Sequence, residues 1–112
     1  MFLMPSRFEP CGLTQMYAMR YGTVPVVRAT GGLRDTVTEF NLATGAGTGF
    51  VFDAYAAEPL VSAISRAAET YRKAQLWQRL VANCFAQDFS WERAARNYLI
   101  WFEALRRETG RA

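Results

Sequence analysis

Two short apolar runs separated by one helical stretch restrict this chain more than any other feature. Phe2-Leu3-Met4 ends at Pro5-Ser6, and Thr23-Val24-Pro25-Val26-Val27 is rich in β-branched residues. Each suits a buried strand bounded by turn residues. Between them Leu13, Met16 and Tyr17 keep helical spacing, and Gly22 supplies a C-terminal stop. Pro25 lies near the start of its run, where a missing donor is tolerable. Strand, helix and strand this close together make a βαβ unit, which predicts a parallel pair joined by a right-handed crossover.

Phe50-Val51-Phe52 reads as a third short strand. Gly45, Gly47 and Gly49 superficially suggest a dinucleotide loop, but they precede a strand instead of following one, so a flexible connection is expected. Thr30-Gly31-Gly32-Leu33 reads as a turn between strand and helix in preference to a cleft lining. Thereafter the chain is helical. Leu60, Val61, Ile64, Ala68 and Tyr71 mark one face, and Leu76, Trp77, Leu80 and Val81 mark a second. Ser90 is a fair N-cap for a last helix with apolar positions at Trp91, Ala94, Ala95, Tyr98, Phe102 and Leu105. Trp77, Trp91 and Trp101 are read as packing residues before sugar platforms.

The fold class is therefore α/β, with short parallel strands and C-terminal helices. Such apolar strands look buried on both faces. So few of them cannot shield their own edges or make an open sheet of ordinary size. The expectation is that residues 1–112 are the C-terminal portion of a larger α/β protein whose preceding strands lie outside this sequence.

Several function classes are excluded or weakened. No stretch reaches the roughly 20 apolar residues of a membrane helix, and MFLMP lacks the basic start and length of a signal peptide. The net charge of +3 is diffuse, with arginines and glutamates alternating along the helices; this reads as solvated faces and not a nucleic-acid footprint. The sequence holds no histidine, which removes His-based triads, metal ligands and general bases. Cys11 and Cys84 are far apart without CxxC spacing, so neither a disulfide framework nor a zinc site is supported, and a reducing cytoplasm is the default. Neither metal nor cofactor is expected.

The stretch SRFEPCGLTQ, residues 6–15, stands where the first strand hands over to a helix. In open parallel sheets ligands bind beyond the carboxyl ends of the strands. A helix beginning near Gly12-Leu13-Thr14 presents free N–H groups and partial positive charge to an anion. Gly12 permits close backbone approach, and the Thr14 hydroxyl can add a hydrogen bond to phosphate. Glu9, just ahead of Pro10, is an acceptor for ligand hydroxyls. An acid beside an anion site points to a ligand that is both phosphorylated and polyhydroxylated, such as a nucleotide sugar. Capping and turn chemistry would use the same residues, and spacing alone leaves both readings open. Cys11 invites a nucleophile reading, which the lack of a histidine partner makes the weaker one.

SRFEPCGLTQ, continuing as MYAMRYGTVPVVRATGGLRDTV, then GTGFVF and AQDFSWERAARNYLIWFEAL, closely resembles the C-terminal nucleotide-binding domain of bacterial glycogen synthases and plant starch synthases. These are retaining glucosyltransferases of the GT-B architecture, with a Rossmann-like C-terminal domain. The resemblance implies glucose transfer from ADP-glucose, with the UDP sugar as an alternative donor, to the non-reducing end of an α-1,4-glucan. Carried over by position, Glu9 matches the carboxylate that contacts donor glucose. Cys11, Gly12, Leu13 and Thr14 match the segment at the donor sugar and diphosphate, Leu13 through its backbone N–H. Where the wider superfamily often has a second glutamate, this chain has Tyr17, so no carboxylate is assigned to ribose. The last helix resembles one that crosses back to the family's N-terminal domain. Basic phosphate ligands and the glucan-binding domain of such enzymes are not in these residues, so this chain alone is expected to lack synthase activity. The rival reading is a non-catalytic nucleotide-sugar or polysaccharide-associated binding module. A sucrose- or trehalose-type transferase is a third, against which EPCGLTQ argues.

Overall fold

A computed structural model describes residues 1–110. Strands β1 (Phe2–Met4), β2 (Pro25–Arg28) and β3 (Phe50–Phe52) form one sheet in the order β1-β2-β3, parallel throughout. Helices α1 (Thr14–Arg20) and α2 (Gly32–Thr36) follow β1 and β2, and α3 (Ala57–Tyr71), α4 (Ala74–Phe85) and α5 (Trp91–Glu108) follow β3. Leu3 pairs with Val26, and Val27 with Val51. The sequence-derived βαβ unit is thus present, with Pro25 as the first residue of its strand.

β2 is the central strand, and Val26 and Val27 are fully buried, as is Phe50 beside them. β1 departs from the expectation of burial on both faces: Phe2 and Leu3 are 37% and 44% exposed. The reason is position, because β1 pairs only with β2 among the described residues and forms the outer edge of the sheet.

The core gathers Met19, Val24, Val26, Val27, Leu33, Val37, Phe40, Phe50, Phe52, Ala63, Ala67, Leu80 and Cys84. The inward face of α3 is rotated from the expected one. Ala63, Ala67 and Thr70 are buried and Leu60, Ile64 and Ala68 half-buried, whereas Val61 and Tyr71 are exposed. Small residues at 63 and 67 let α3 lie close to β3, and Tyr71 instead packs edge-on against Trp77, with ring centroids 5.1 Å apart. On α4 Leu80 is buried and Leu76, Trp77 and Val81 are half-buried, as the periodicity predicts.

The glycine-rich segment is not the loose connection expected. Asn83 of α4 donates to the carbonyls of Gly45 and Gly47 at 2.8 and 2.9 Å. Asn41 folds its own turn by accepting from the amides of Ala43 and Thr44. Distant side chains therefore supply the order that glycine backbone lacks.

Ser90 caps α5 by accepting from the Arg93 amide. Asp88 accepts from the Ser90 amide, and hydrogen bonding to Ser90 holds its carboxyl below the usual carboxylate range. Beyond that cap α5 buries no residue and packs against no other helix or strand among the described residues. Trp91, Tyr98, Trp101, Phe102 and Leu105 are all more than half exposed. Among the described residues no helix is long and apolar enough to cross a membrane.

Candidate functional site

The loop between β1 and α1 lies at the carboxyl end of the sheet, where the loops after β2 and β3 join it. Its backbone is fixed from below. Arg28, the last residue of β2, donates from Nη1 to the Arg7 carbonyl at 2.8 Å and from Nε to the Asp53 carbonyl at 2.9 Å. One guanidinium therefore links the segments that follow all three strands, and it lies 5.6 Å from the Tyr55 ring centroid. The Gly32 amide donates to the Glu9 and Pro10 carbonyls at 3.2 and 3.1 Å. Gln15 Nε2 donates to the Gly12 carbonyl at 2.7 Å and reaches that of Cys11 at 3.4 Å.

Thr30-Gly31-Gly32-Leu33 is a turn, as read from the sequence, closed by a hydrogen bond from the Leu33 amide to the Thr30 carbonyl. It is also the platform under the candidate site. A Cβ on Gly32 would meet the Cys11 carbonyl oxygen at 1.7 Å, and one on Gly31 would meet that of Glu9 at 1.9 Å. Only glycines permit the two loops to touch this closely. Spacing within one segment carries no sign of such a contact, which depends on tertiary packing.

The opposite side of the loop is open. Among the described residues, the N–H groups of Cys11, Gly12, Leu13 and Thr14 donate to no protein acceptor. Gly12 is left-handed, with φ of 68°, a conformation costly for other residues. Leu13 is the N-cap of α1 and has no side-chain capping bond, and Thr14 is the first helical residue. Cys11, Leu13 and Thr14 are exposed, Gly12 is buried and Glu9 is half-buried. The Glu9 carboxylate makes no ion pair or hydrogen bond among the described residues. Tyr17, at the position of the absent second carboxylate, is 61% exposed.

The loop thus carries tied-down carbonyls on one side and unpaired amides on the other. That polarity suits an anion, because N–H dipoles held in place need little reorganisation to meet negative charge. A concavity beyond β3, lined by Phe52, Tyr55, Ala56, Ala57 and Leu60, opens at the same end of the sheet.

Residues 1–82 match the family described as Glycosyl transferases group 1. The chain belongs to that family. Among its relatives, the glycogen synthase of Desulforudis audaxviator is 62% identical over 100 residues, covering 88% of this chain and 20% of that protein. The glycogen synthase of Kosmotoga olearia is 56% identical over 99 residues, covering 88% of this chain and 21% of the other. Of solved structures, the catalytic domain of Starch Synthase IV from Arabidopsis thaliana, bound to ADP and acarbose, superimposes with a TM-score of 0.81 at 41% identity, covering 93% of this chain and 22% of that one. Sucrose-phosphate synthase from Thermosynechococcus elongatus is more distant, at 0.62 and 30%, covering 92% of this chain and 24% of its own.

This group 1 glycosyl transferase chain thus spans about one fifth of the length of the glycogen synthases it matches. The α/β fold class expected from the sequence, a partial Rossmann-like domain of the GT-B kind, agrees with the parallel sheet and the starch synthase likeness.

Proposed function

We propose that this chain supplies the donor side of a glycogen or starch synthase site, in which glucose passes from ADP-glucose to the non-reducing end of an α-1,4-glucan with retention. In this reading residues 1–112 are the C-terminal portion of the nucleotide-sugar-binding domain of a cytoplasmic enzyme, and the acceptor is held by an N-terminal domain. The observation that carries the proposal is the row of unpaired amides at Cys11–Thr14, set on a loop whose carbonyls are held by Arg28, Gly32 and Gln15. The likeness to a starch synthase bound to ADP supports it independently.

Each residue then has a stated task. The amides of Cys11, Gly12 and Leu13 face the donor diphosphate, and the Thr14 hydroxyl adds a donor there. As the glycosidic bond breaks, negative charge accumulates on the leaving diphosphate, and amides fixed beforehand stabilise it more than they stabilise the ground state. Glu9 accepts hydrogen bonds from glucose hydroxyls and sets the sugar relative to the acceptor.

Titration of the chain with ADP and ADP-glucose, followed by amide chemical shifts, tests the reading. Shifts confined to residues 9–14 and their supports are expected. Absence of any shift at millimolar ligand would refute it. Transfer of labelled glucose to glycogen by this chain alone is expected to be undetectable, since phosphate-binding basic residues and the glucan site lie elsewhere in this reading.

A further inference from the structure

Gln15 is fully buried and behaves unlike an ordinary core residue. Its Nε2 donates to the Gly12 carbonyl at 2.7 Å and to the Thr36 hydroxyl at 2.9 Å. Thr36 in turn donates to the Gly32 carbonyl at 2.6 Å. Because the Thr36 proton is committed to Gly32, the group facing Thr36 has to be the Gln15 amino end, which fixes the orientation of the carboxamide. The other end is left without compensation: Gln15 Oε1 is buried and has no hydrogen-bond partner among the described residues.

A buried acceptor without a donor opposes folding. An apolar side chain of the same length, such as methionine, would remove that orphan but leave the buried Gly12 carbonyl without its donor. The benefit of glutamine therefore lies in what Nε2 holds. It draws the Gly12 carbonyl inward, at the one residue of the loop that is left-handed, and an inward carbonyl at Gly12 turns the following amide, that of Leu13, outward. Through Thr36 the same contact registers the loop against α2, whose Gly32 amide holds Glu9 and Pro10. A Cβ on Gly12 would lie 2.6 Å from Gln15 Oε1, so side chain and glycine are fitted to each other.

We infer that Gln15 is a positioning residue for the diphosphate amides, acting through Gly12 and coupled by Thr36 to the Gly31-Gly32 platform. The inference rests on the donor-site reading above. It predicts a separation between affinity and stability that a merely structural role would not give.

The test compares wild type, Gln15→Met, Thr36→Val and Thr36→Ser in the 112-residue chain, at a temperature where circular dichroism shows each one folded. ADP affinity is expected to fall about tenfold in Gln15→Met and about threefold in Thr36→Val, and to return to within about twofold of wild type in Thr36→Ser, in line with the worth of one or two hydrogen bonds. The unfolding midpoint of Gln15→Met should stay near that of wild type, since one orphaned acceptor, Oε1, is exchanged for another, the Gly12 carbonyl. Equal affinity in all four proteins overturns the inference while leaving the donor site intact. If wild type fails to bind ADP, the donor-site reading fails, and the Gly12 and Leu13 amide shifts decide the positioning role. Displacement of both toward values of unstructured chain in Gln15→Met upholds it, and unchanged shifts overturn it. Should Gln15→Met fail to fold, the Thr36→Val and Thr36→Ser pair gives the same decision.

Discussion

Gly32 and Cys11 meet through backbone alone: the space a Gly32 Cβ would need is already taken by the Cys11 carbonyl oxygen, 1.7 Å from it. Substitution Gly32→Ala must push the candidate loop off its platform. We expect a loss of about 2–3 kcal/mol in chemical denaturation, together with loss of the hydrogen bonds to Glu9 and Pro10. Retention of wild-type stability would show that the two loops separate freely.

Arg28 offers a gentler way to loosen the same region. Its bonds reach two carbonyls from a half-exposed position. Arg28→Met should cost stability by no more than about 1 kcal/mol. Because it frees the Arg7 and Asp53 carbonyls, the amide chemical shifts of the next residues, Phe8 and Ala54, should move, which NMR would detect.

Cys84 gives a pH signature. Burial pushes its thiol from an ordinary 9.0 to about 11, and Sγ donates to the Thr48 carbonyl. The folded state keeps this proton where the unfolded state releases it. Its contribution is therefore fully present below pH 9 and is lost as pH rises toward 11. The loss amounts to at most about 2–3 kcal/mol. The measurement is the difference in denaturation free energy between wild type and Cys84→Ala. That difference should shrink with rising alkali.

The two thiols should also part company chemically. Cys11 is exposed and Cys84 buried. Iodoacetamide under native conditions should modify Cys11 alone, as peptide mass analysis would show, and ADP should slow that modification if the donor-site reading is right. Labelling of both at equal rates would contradict the burial of Cys84.

Removal of residues 91–112 should leave the fold standing, since α5 buries no residue among those described. The unfolding midpoint should move by less than about 2 °C, corresponding to a few tenths of a kcal/mol. A larger fall would mean that α5 contributes contacts to the body.

Much of this architecture could be read from local pattern. β1, β3, the Gly22 stop and the Ser90 cap follow from run composition and turn residues, which act within a few positions. The α3 face was misjudged at Val61 and Tyr71 because hydrophobic residues mark a stripe, whereas the tightest contacts here are made by Ala63 and Ala67. Small residues carry little signal in a periodicity. The strand end at Met4 and the helix start near Thr14, which bound the candidate loop, were legible. Its supports were not. Arg28, Thr36 and Gly32 lie on other elements, and Gln15 looks like any polar residue in the first turn of a helix. What they do arises only when β2 and α2 are folded beside the loop, beyond the reach of any short window.

The isolation of α5 has a mechanical consequence. A helix of 18 residues extends about 27 Å from its cap at Ser90. With no contact to another helix or strand among the described residues to brace it, a turn of about 20° at that joint would swing the far end by about 9 Å. The rod thus converts a small backbone adjustment near Asp88 into a large sweep of an aromatic surface, and its direction is governed by the few bonds among Asp88, Ser90 and Arg93.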